Sequence, residues 1–488
     1  MKFGKIARGF LAATLAAVMV AGSVVTTSAI SAGDVNGDGK LNLKDASLML
    51  KVIAKYDGVD VDKAAADVTG DSKMNLADVA LLMKHIAGWQ DLAPLPQLGP
   101  VLDLEGVDPI DYDDLDYDDT YSMTSDEWLL SYYEQSFDTF LGVCKYFEDS
   151  GYGLYGYNVL ADNHFATFVK GKKLAHIYWI ECESELNVVL SDNSGEALPP
   201  KEPAVITGEY RTSVTQLQSE RHNGMGYVIQ LADGSFIIYD GGYEEQIDQL
   251  WETLVSLNGG EENIIIRGWV ITHSHNDHYT CFSGFSDKYA DKVTLERLII
   301  SPVNKKDTDG DTYFHTGAKT DAAKFAGAKI LYAHTGMVLS FCNVKMEMLF
   351  AAEELYISDA RWGSGLANLI DFNSSSLVSR VYTDDYSALF LGDATINTAS
   401  RMLVYYGDYL RSNMCQAAHH GFESFPLIGY THIKAEIMWY PTNQDCYDYE
   451  GAEDVGDIRE AVRNSKYTKE VIVHEHSPET RYFQTSAE

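Results

Sequence analysis

The sequence predicts a layered α/β domain carried behind a small helical module, and three observations predict it. From about residue 208 apolar strand-like runs alternate with helical patterns, the order expected of a layered α/β fold. One such run, 264–266 and then 269–271, empties into Thr272-His273-Ser274-His275-Asn276-Asp277-His278. Near the N-terminus an oxygen-rich loop occurs twice, each copy feeding an amphipathic helix.

A chain of 488 residues is too long for one ordinary core, so two or three domains are expected. Apolar content of 45% is that of a globular protein, and a net charge of -35 argues against stable binding of duplex nucleic acid. A small or polymeric anionic substrate is still compatible with that charge, because bound metal reverses the local field. Residues 1–29 read as a signal peptide: Lys2, Lys5 and Arg8, an apolar stretch over 10–25, then small residues at Thr27-Ser28-Ala29. The mature chain is therefore expected to be secreted and to have no membrane span. Cys144, Cys182, Cys281, Cys342, Cys415 and Cys446 are too scattered for a disulfide framework or a CxxC metal site.

In the first loop Asp34, Asn36, Asp38, Asn42 and Asp45 place oxygen side chains at positions 1, 3, 5, 9 and 12. Gly39 sits at the turn and Lys40 offers its carbonyl at position 7. That is the spacing calcium requires. The pattern returns as Asp67, Thr69, Asp71, Lys73, Asn75 and Asp78. The duplicated short loop resembles a dockerin, the calcium module that docks into cohesin domains of a cellulosome scaffold, over residues 33–90. The resemblance implies an all-α module holding two Ca²⁺, a cohesin partner read by Leu43, Lys44, Leu76 and Ala77, and an extracellular, cellulosome-associated protein. Thr69 and Ser72 depart from the usual Asp or Asn and Gly, which bears on the second loop.

Prolines and an acidic run make 91–121 a linker. Thr124 followed by Glu127 reads as a capping box, and apolar residues from Trp128 to Tyr146 follow at near-helical spacing, so 125–148 are expected to be a helix or a helix pair. Strand-like runs at 165–169, 175–180 and 186–190 complete a small α+β unit over 122–200, read as a structural cap rather than a substrate-recognition extension. In the domain over 208–488, strands at 224–230 and 236–239 form a hairpin about Asp233-Gly234, and a helix over 246–257 returns to 264. Further strands are expected at 295–300, 328–331, 344–349, 376–383, 387–391, 437–439 and 471–473, and helices at 318–326, 396–407 and 454–464. Asp307-Thr308-Asp309-Gly310-Asp311 starts like another calcium loop, but Ala318 stands at position 12, so it reads as a solvated turn.

Three histidines and an aspartate directly after a buried strand suit Zn, Mn or Fe rather than packing. His273-x-His275-x-Asp277-His278 resembles the signature of the metallo-β-lactamase superfamily. Asp240-Gly241-Gly242 resembles its supporting aspartate, Asp393 its bridging aspartate, and Ala417-Ala418-His419-His420-Gly421 its last histidine motif, with His420 the expected ligand and His419 its rival. The resemblance implies an αββα four-layer sandwich with two metals, Zn²⁺ with Mn or Fe as alternatives, at one sheet edge. One metal would use His273, His275 and Asp393. The other would use Asp277, His278, Asp393 and His420, with Asp277 orienting the attacking water. His474 and His476 are candidate acids for the leaving group. The sequence lacks the further histidine that completes the first metal shell: only His315 and His334 lie between His278 and Asp393, and both read as loop residues. Asn373-Ser374-Ser375-Ser376 and the His-His-Gly form look most like the competence-protein and phosphodiesterase branch. The expected function is hydrolysis of phosphoesters. The alternatives are a carboxylic ester, lactone or amide hydrolase, or a degenerate scaffold-docking component.

Overall fold

The computed structural model describes residues 32–36, 41–56, 59, 61, 63–69, 74–88, 100–124, 126–201, 210–218, 221, 223–302, 311–353, 372–383, 385–422, 424–448, 453–474 and 478–483. The leader at 1–29, loop residues Asp38, Lys40, Asp71 and Lys73, the turn at 307–310, and His476 lie outside them, as does the side chain of His315. Among the described residues no helix is long and apolar enough to cross a membrane. All six cysteines are free.

The chain divides into two units, 1–100 and 101–488. The first is built on helices α1 (Leu43–Ile53), α2 (Lys63–Ala66) and α3 (Leu76–Ile86). Asn42 and Asn75 cap α1 and α3, and Asp45 and Asp78 reach back to the capping N–H groups in reciprocal boxes. Val35, Ala46, Met49, Val79 and Leu82 form its core. Leu43 and Leu76, at the same turn of the two repeats, are 60% and 63% exposed.

The second unit begins with an antiparallel sheet built from β1 (Asp119–Ser122), β2 (Glu127–Tyr132), β3 (Gly153–Leu160), β4 (Asn163–Lys170), β5 (Lys173–Ile180) and β6 (Glu185–Ser191), in the order β1-β2-β6-β5-β4-β3, with α4 (Phe137–Asp149) packed on it. The helix expected over 125–148 is thus half wrong. Residues 127–132 alternate in burial as a strand does, with Trp128 out and Leu129 in. Glu127 does not cap a helix: its carboxylate is fully buried and accepts a 2.7 Å bond from the Ser194 hydroxyl. The helix starts later, where the Ser136 hydroxyl accepts from Thr139 N–H.

Two larger sheets follow. The first contains β7 (Ser213–Gln216), β8 (Gly226–Gln230), β9 (Phe236–Asp240), β10 (Ile264–Ile271), β11 (Val293–Leu295), β12 (Arg297–Ile300) and β13 (Lys329–Tyr332). The second runs β14 (Val338–Phe341), β15 (Val344–Phe350), β16 (Val378–Tyr382), β17 (Ser387–Phe390), β18 (Met414–Gln416), β19 (Ile437–Tyr440) and β20 (Glu470–Val473), each pairing with the next. A last strand, β21 (Glu479–Tyr482), returns to the first sheet and pairs antiparallel with β7. Tyr227, Tyr239, Val270 and Leu331 from one sheet share a buried cluster with Met346, Val381, Phe390 and Trp439 from the other. Helices α5 (Ile247–Asn258), α6 (Asn276–Tyr289) and α7 (Asp311–Ala322) accompany the first sheet, and Leu250, Phe282 and Ala318 pack on its outer face. Helices α8 (Ile396–Tyr406) and α9 (Leu427–Ile433), α10 (Gln444–Tyr447) and α11 (Glu453–Arg463) lie with the second, whose outer cluster includes Met402, Ile433, Tyr447 and Val462. The result is a mixed-sheet α/β/β/α sandwich. In this sandwich the sequence patterns found the hairpin and most strands, but not β7, β14, β18, β21, α6, α9 or α10.

The N-terminal sheet joins that outer layer rather than standing apart. Leu129, Phe165, Tyr178, Ile180 and Val189 belong to the same buried cluster as Leu349, Val378, Leu389 and Tyr405. Phe165 presses on the backbone at Gly336 so closely that a Cβ there would lie 1.7 Å from the ring. His334 is therefore no loop histidine at the surface. It is fully buried, with Nδ1 3.2 Å from Glu353 and Nε2 3.8 Å from Glu127 on β2. The Tyr178 hydroxyl donates to the other Glu353 oxygen at 2.6 Å, and His176 sits 2.8 Å from the Thr335 carbonyl.

Candidate metal centre

Strand β10 is buried along its last four residues and delivers its end to the gap between the two sheets. His273 and His275 follow it, and α6 begins at once, so Asp277 and His278 occupy its first turn. At the end of neighbouring β9, Asp240 turns inward with φ 54°. Its carboxylate accepts the N–H and hydroxyl of Thr272 at 2.7 and 2.8 Å and lies 2.7 Å from His278 Nδ1. Asp240 thus fixes the ring that leaves His278 Nε2 facing the cluster, the usual role of an outer carboxylate on a ligating histidine.

From the opposite sheet, β17 leads through Gly392 to Asp393, which is 1% exposed. The Gln416 amide carbonyl accepts both Leu391 and Gly392 N–H at 2.8 Å, and the Ser376 hydroxyl accepts Asp393 N–H at 3.0 Å. Beyond β18, His419 and His420 both take left-handed backbone, at φ 49° and 57°. Three non-glycine residues in that region around one cluster mark strain held by the surroundings.

The donor atoms form two groups that share Asp393, each within 4.8 Å: Asp277, His278, Asp393 and His420, and His273, His275 and Asp393. His420 Nε2 stands 2.9 Å from Asp277 and 3.5 Å from Asp393, while its Nδ1 is 2.9 Å from the Pro441 carbonyl. His419 is in neither group; its Nε2 is 3.9 Å from Asp393 and the side chain is 30% exposed. His334 is held among Glu127, Glu353 and His176 instead, so the group of His273, His275 and Asp393 counts three donors among the described residues.

The donor set fits a metal. His278 Nε2 and Asp393 Oδ1 lie 3.2 Å apart, both buried, yet neither is aligned for a hydrogen bond. Burial opposes charge on His278, but Asp393, Asp277 and Asp240 outweigh it and raise the imidazole well above its ordinary value. Burial likewise opposes charge on His420, which Asp393 and Asp277 raise to about 9. Burial works against ionised Asp277 and Asp393 as well, and the neighbouring histidines still hold both carboxylates below the usual range. The carboxylates need positive charge here, and a divalent cation with N and O ligands supplies it more directly than protons do.

His474 is 1% exposed, and burial lowers it to about 4. Sequence reasoning missed Gln416 and Asn223. Gln416 carried no signal beyond a polar residue at the end of an apolar strand. Asn223 carried none beyond its place just before β8.

The Dockerin type I domain profile matches residues 32–87, and the Metallo-beta-lactamase superfamily profile matches residues 221–359. A search of curated proteins found no match. Among solved structures, the metallo-beta-lactamase fold protein YhfI from Bacillus subtilis aligns at 10% identity over 56% of this chain and 99% of its own, with a TM-score of 0.36. Zn(2+)-bound PqqB from Methylobacterium extorquens aligns at 8% identity over 55% of this chain and 99% of its own, with a TM-score of 0.34. CmlA, a diiron beta-hydroxylase from Streptomyces venezuelae, aligns at 12% identity over 58% of this chain and 55% of its own, with a TM-score of 0.33.

Proposed function

We propose that this chain, a metallo-β-lactamase superfamily fold with an N-terminal dockerin-like domain, is a secreted hydrolase of phosphoester bonds attached to a cellulosome scaffold. It has a metal-dependent hydrolase fold and a His/Asp cluster able to hold metal. The observation that carries the reading is the pair of donor groups joined by Asp393. Two zinc ions are the occupants the donor chemistry favours, with Mn and Fe as competitors. Metal held there supplies Lewis acidity toward an electrophilic centre and makes water more acidic. The chain's own part is to hold both groups rigidly: Asp240 orients His278, the Pro441 carbonyl orients His420, and Ser376 and Gln416 fix the backbone that presents Asp393.

Phosphoesters are favoured because the two groups sharing Asp393 would hold two cations side by side, and these would supply the positive charge that displacement at phosphorus calls for. The purified chain, loaded with Zn²⁺ or Mn²⁺, is expected to hydrolyse a chromogenic phosphodiester faster than a phosphomonoester, acetyl ester, lactone, amide or β-lactam. Preference for a carboxylic ester, lactone or amide would replace the phosphoester reading. Loss of all turnover with metal bound would leave scaffold docking as the function.

The docking half rests on the repeated loops. Asp34, Asp45 and Asp78 are buried carboxylates in a unit with a small core, and the Asp78 carboxylate accepts the Thr69 N–H at 2.9 Å and hydroxyl at 2.8 Å. Two Ca²⁺ ions would neutralise such loops and contribute to folding of the module. Exposed Leu43 and Leu76, flanked by exposed Lys44 and Ala77, offer the surface for a cohesin. Cohesin binding by the full chain is expected in millimolar Ca²⁺ and to vanish with EDTA or in the Asp34→Ala/Asp67→Ala variant. Binding that persists in EDTA counts against calcium-dependent docking.

A further inference from the structure

Asp277 is steered by a pair of residues that the metal cluster itself does not contain. The Asn223 amide donates a 2.7 Å hydrogen bond to Asp277 Oδ2, the same oxygen that faces His420. The opposite end of that amide is fixed in turn, since the Tyr243 hydroxyl donates to Asn223 Oδ1 at 3.2 Å. This second bond sets which way the amide points, so the NH₂ faces the carboxylate. Tyr243 is itself anchored. Its N–H donates to Gln246 Oε1 at 2.7 Å, its ring lies 4.1 Å beneath the Arg221 guanidinium, and Arg221 pairs with Glu245. The backbone places Asn223 independently of its side chain: it forms an isolated antiparallel bridge with Thr442, and Met225 N–H donates to the Asp277 carbonyl at 3.0 Å.

We propose that Asn223 and Tyr243 are positioning residues that aim the Asp277 carboxylate into the group formed with His278, Asp393 and His420, and so set the affinity for metal in that group. The inference rests on the metal-centre reading given above. An aspartate offers two oxygens and a freely turning side-chain torsion. A donor fixed on one oxygen restricts that rotation and leaves the carboxylate arranged before metal arrives. Outer partners of this kind typically govern metal affinity by about 10–100-fold.

The test uses the full-length protein with Zn²⁺ alone as the probe. Stepwise uptake is measured by competition with a chromophoric chelator, and Co²⁺ substitution gives a visible spectrum that reports the ligand geometry. Asn223→Ala is expected to weaken one equivalent about 10–100-fold and leave the other unchanged. Tyr243→Phe, which keeps the amide but frees its orientation, is expected to weaken the same equivalent by a smaller factor. Asn223→Leu separates the hydrogen bond from packing. It keeps much of the volume and removes the donor without adding charge, so it should weaken metal about as much as alanine does. Wild-type affinity for every equivalent in Asn223→Leu and Asn223→Ala, with normal folding by circular dichroism, overturns the inference and leaves the metal centre standing. A wild-type chain that takes up one equivalent overturns the two-metal reading alone, because the pair's effect is still read on that equivalent. No uptake by the wild type overturns both.

Discussion

Replacing Asp393 with alanine is expected to give a folded chain that retains no metal at either donor group and has no measurable hydrolase activity. Asp393 is the one residue common to both groups, so its loss removes a ligand from each. The backbone around it should survive. Ser376 and Gln416 bind its N–H and the neighbouring peptide groups rather than its carboxylate. The loss of affinity should exceed the roughly 10–100-fold that removing an outer partner costs. His275→Ala should act on one group only. Metal content after dialysis and kcat/KM on the best substrate read both outcomes. Retention of two equivalents by the Asp393→Ala variant would sink the shared-ligand arrangement.

The second large effect lies away from the metals. His334 sits between two buried carboxylates, Glu127 on the N-terminal sheet and Glu353 after β15. Burial opposes its charge, but the nearby charges of Glu127 and Glu353 and the hydrogen bond with Glu353 prevail and raise it to about 9. Its pKa in the unfolded chain is near 6.5. A base whose pKa rises on folding contributes stability that is complete below about pH 6.5 and lost as pH climbs through about 9. Urea unfolding should therefore show a lower midpoint at pH 9.5 than at pH 6.5, and His334→Gln should flatten that dependence. Removing the imidazole with His334→Leu leaves two carboxylates facing each other in the interior. Breaking a buried pair from one side typically costs about 3–5 kcal/mol, a large share of the 5–15 kcal/mol that holds an ordinary domain. A stability unchanged by His334→Leu would mean that the triad does not join the N-terminal sheet to the sandwich.

What could be read in advance follows from how far apart the cooperating residues are. His273, His275, Asp277 and His278 are neighbours in sequence, so their chemistry was visible at once. Asp393 was legible because it ends an apolar strand with a carboxylate that strands do not need for packing, and His420 because Ala417-Ala418-His419-His420-Gly421 resembles the superfamily's last histidine motif. The hairpin was legible from Asp233-Gly234. The stretch around Trp128 was misread because Thr124 and Glu127 have helix-start spacing, while the decisive fact, a buried bond from Ser194 to Glu127, is long-range. Helix α6 was hidden by its start: its first turn carries Asp277 and His278, and its apolar face, with Cys281, Phe282 and Phe285, begins only after them. His334 offered nothing locally, since its meaning comes from Glu127 on a distant strand and Glu353 beyond the end of β15.

The closing strand β21 has a consequence in time. It completes the first sheet by pairing with β7, and the hydroxyls of Thr215 and Thr480 meet at 2.8 Å across 265 residues of chain. At about 5–20 residues per second, β7 leaves the ribosome roughly 10–50 s before its partner exists. Through that interval its outer edge is a row of open N–H and C=O groups, the kind of edge that recruits foreign strands. The sequence of β7 is Ser-Val-Thr-Gln, mostly small and polar. Such a strand can wait for its partner without offering a sticky surface, and the non-local pairing that makes it wait also predicts slow folding.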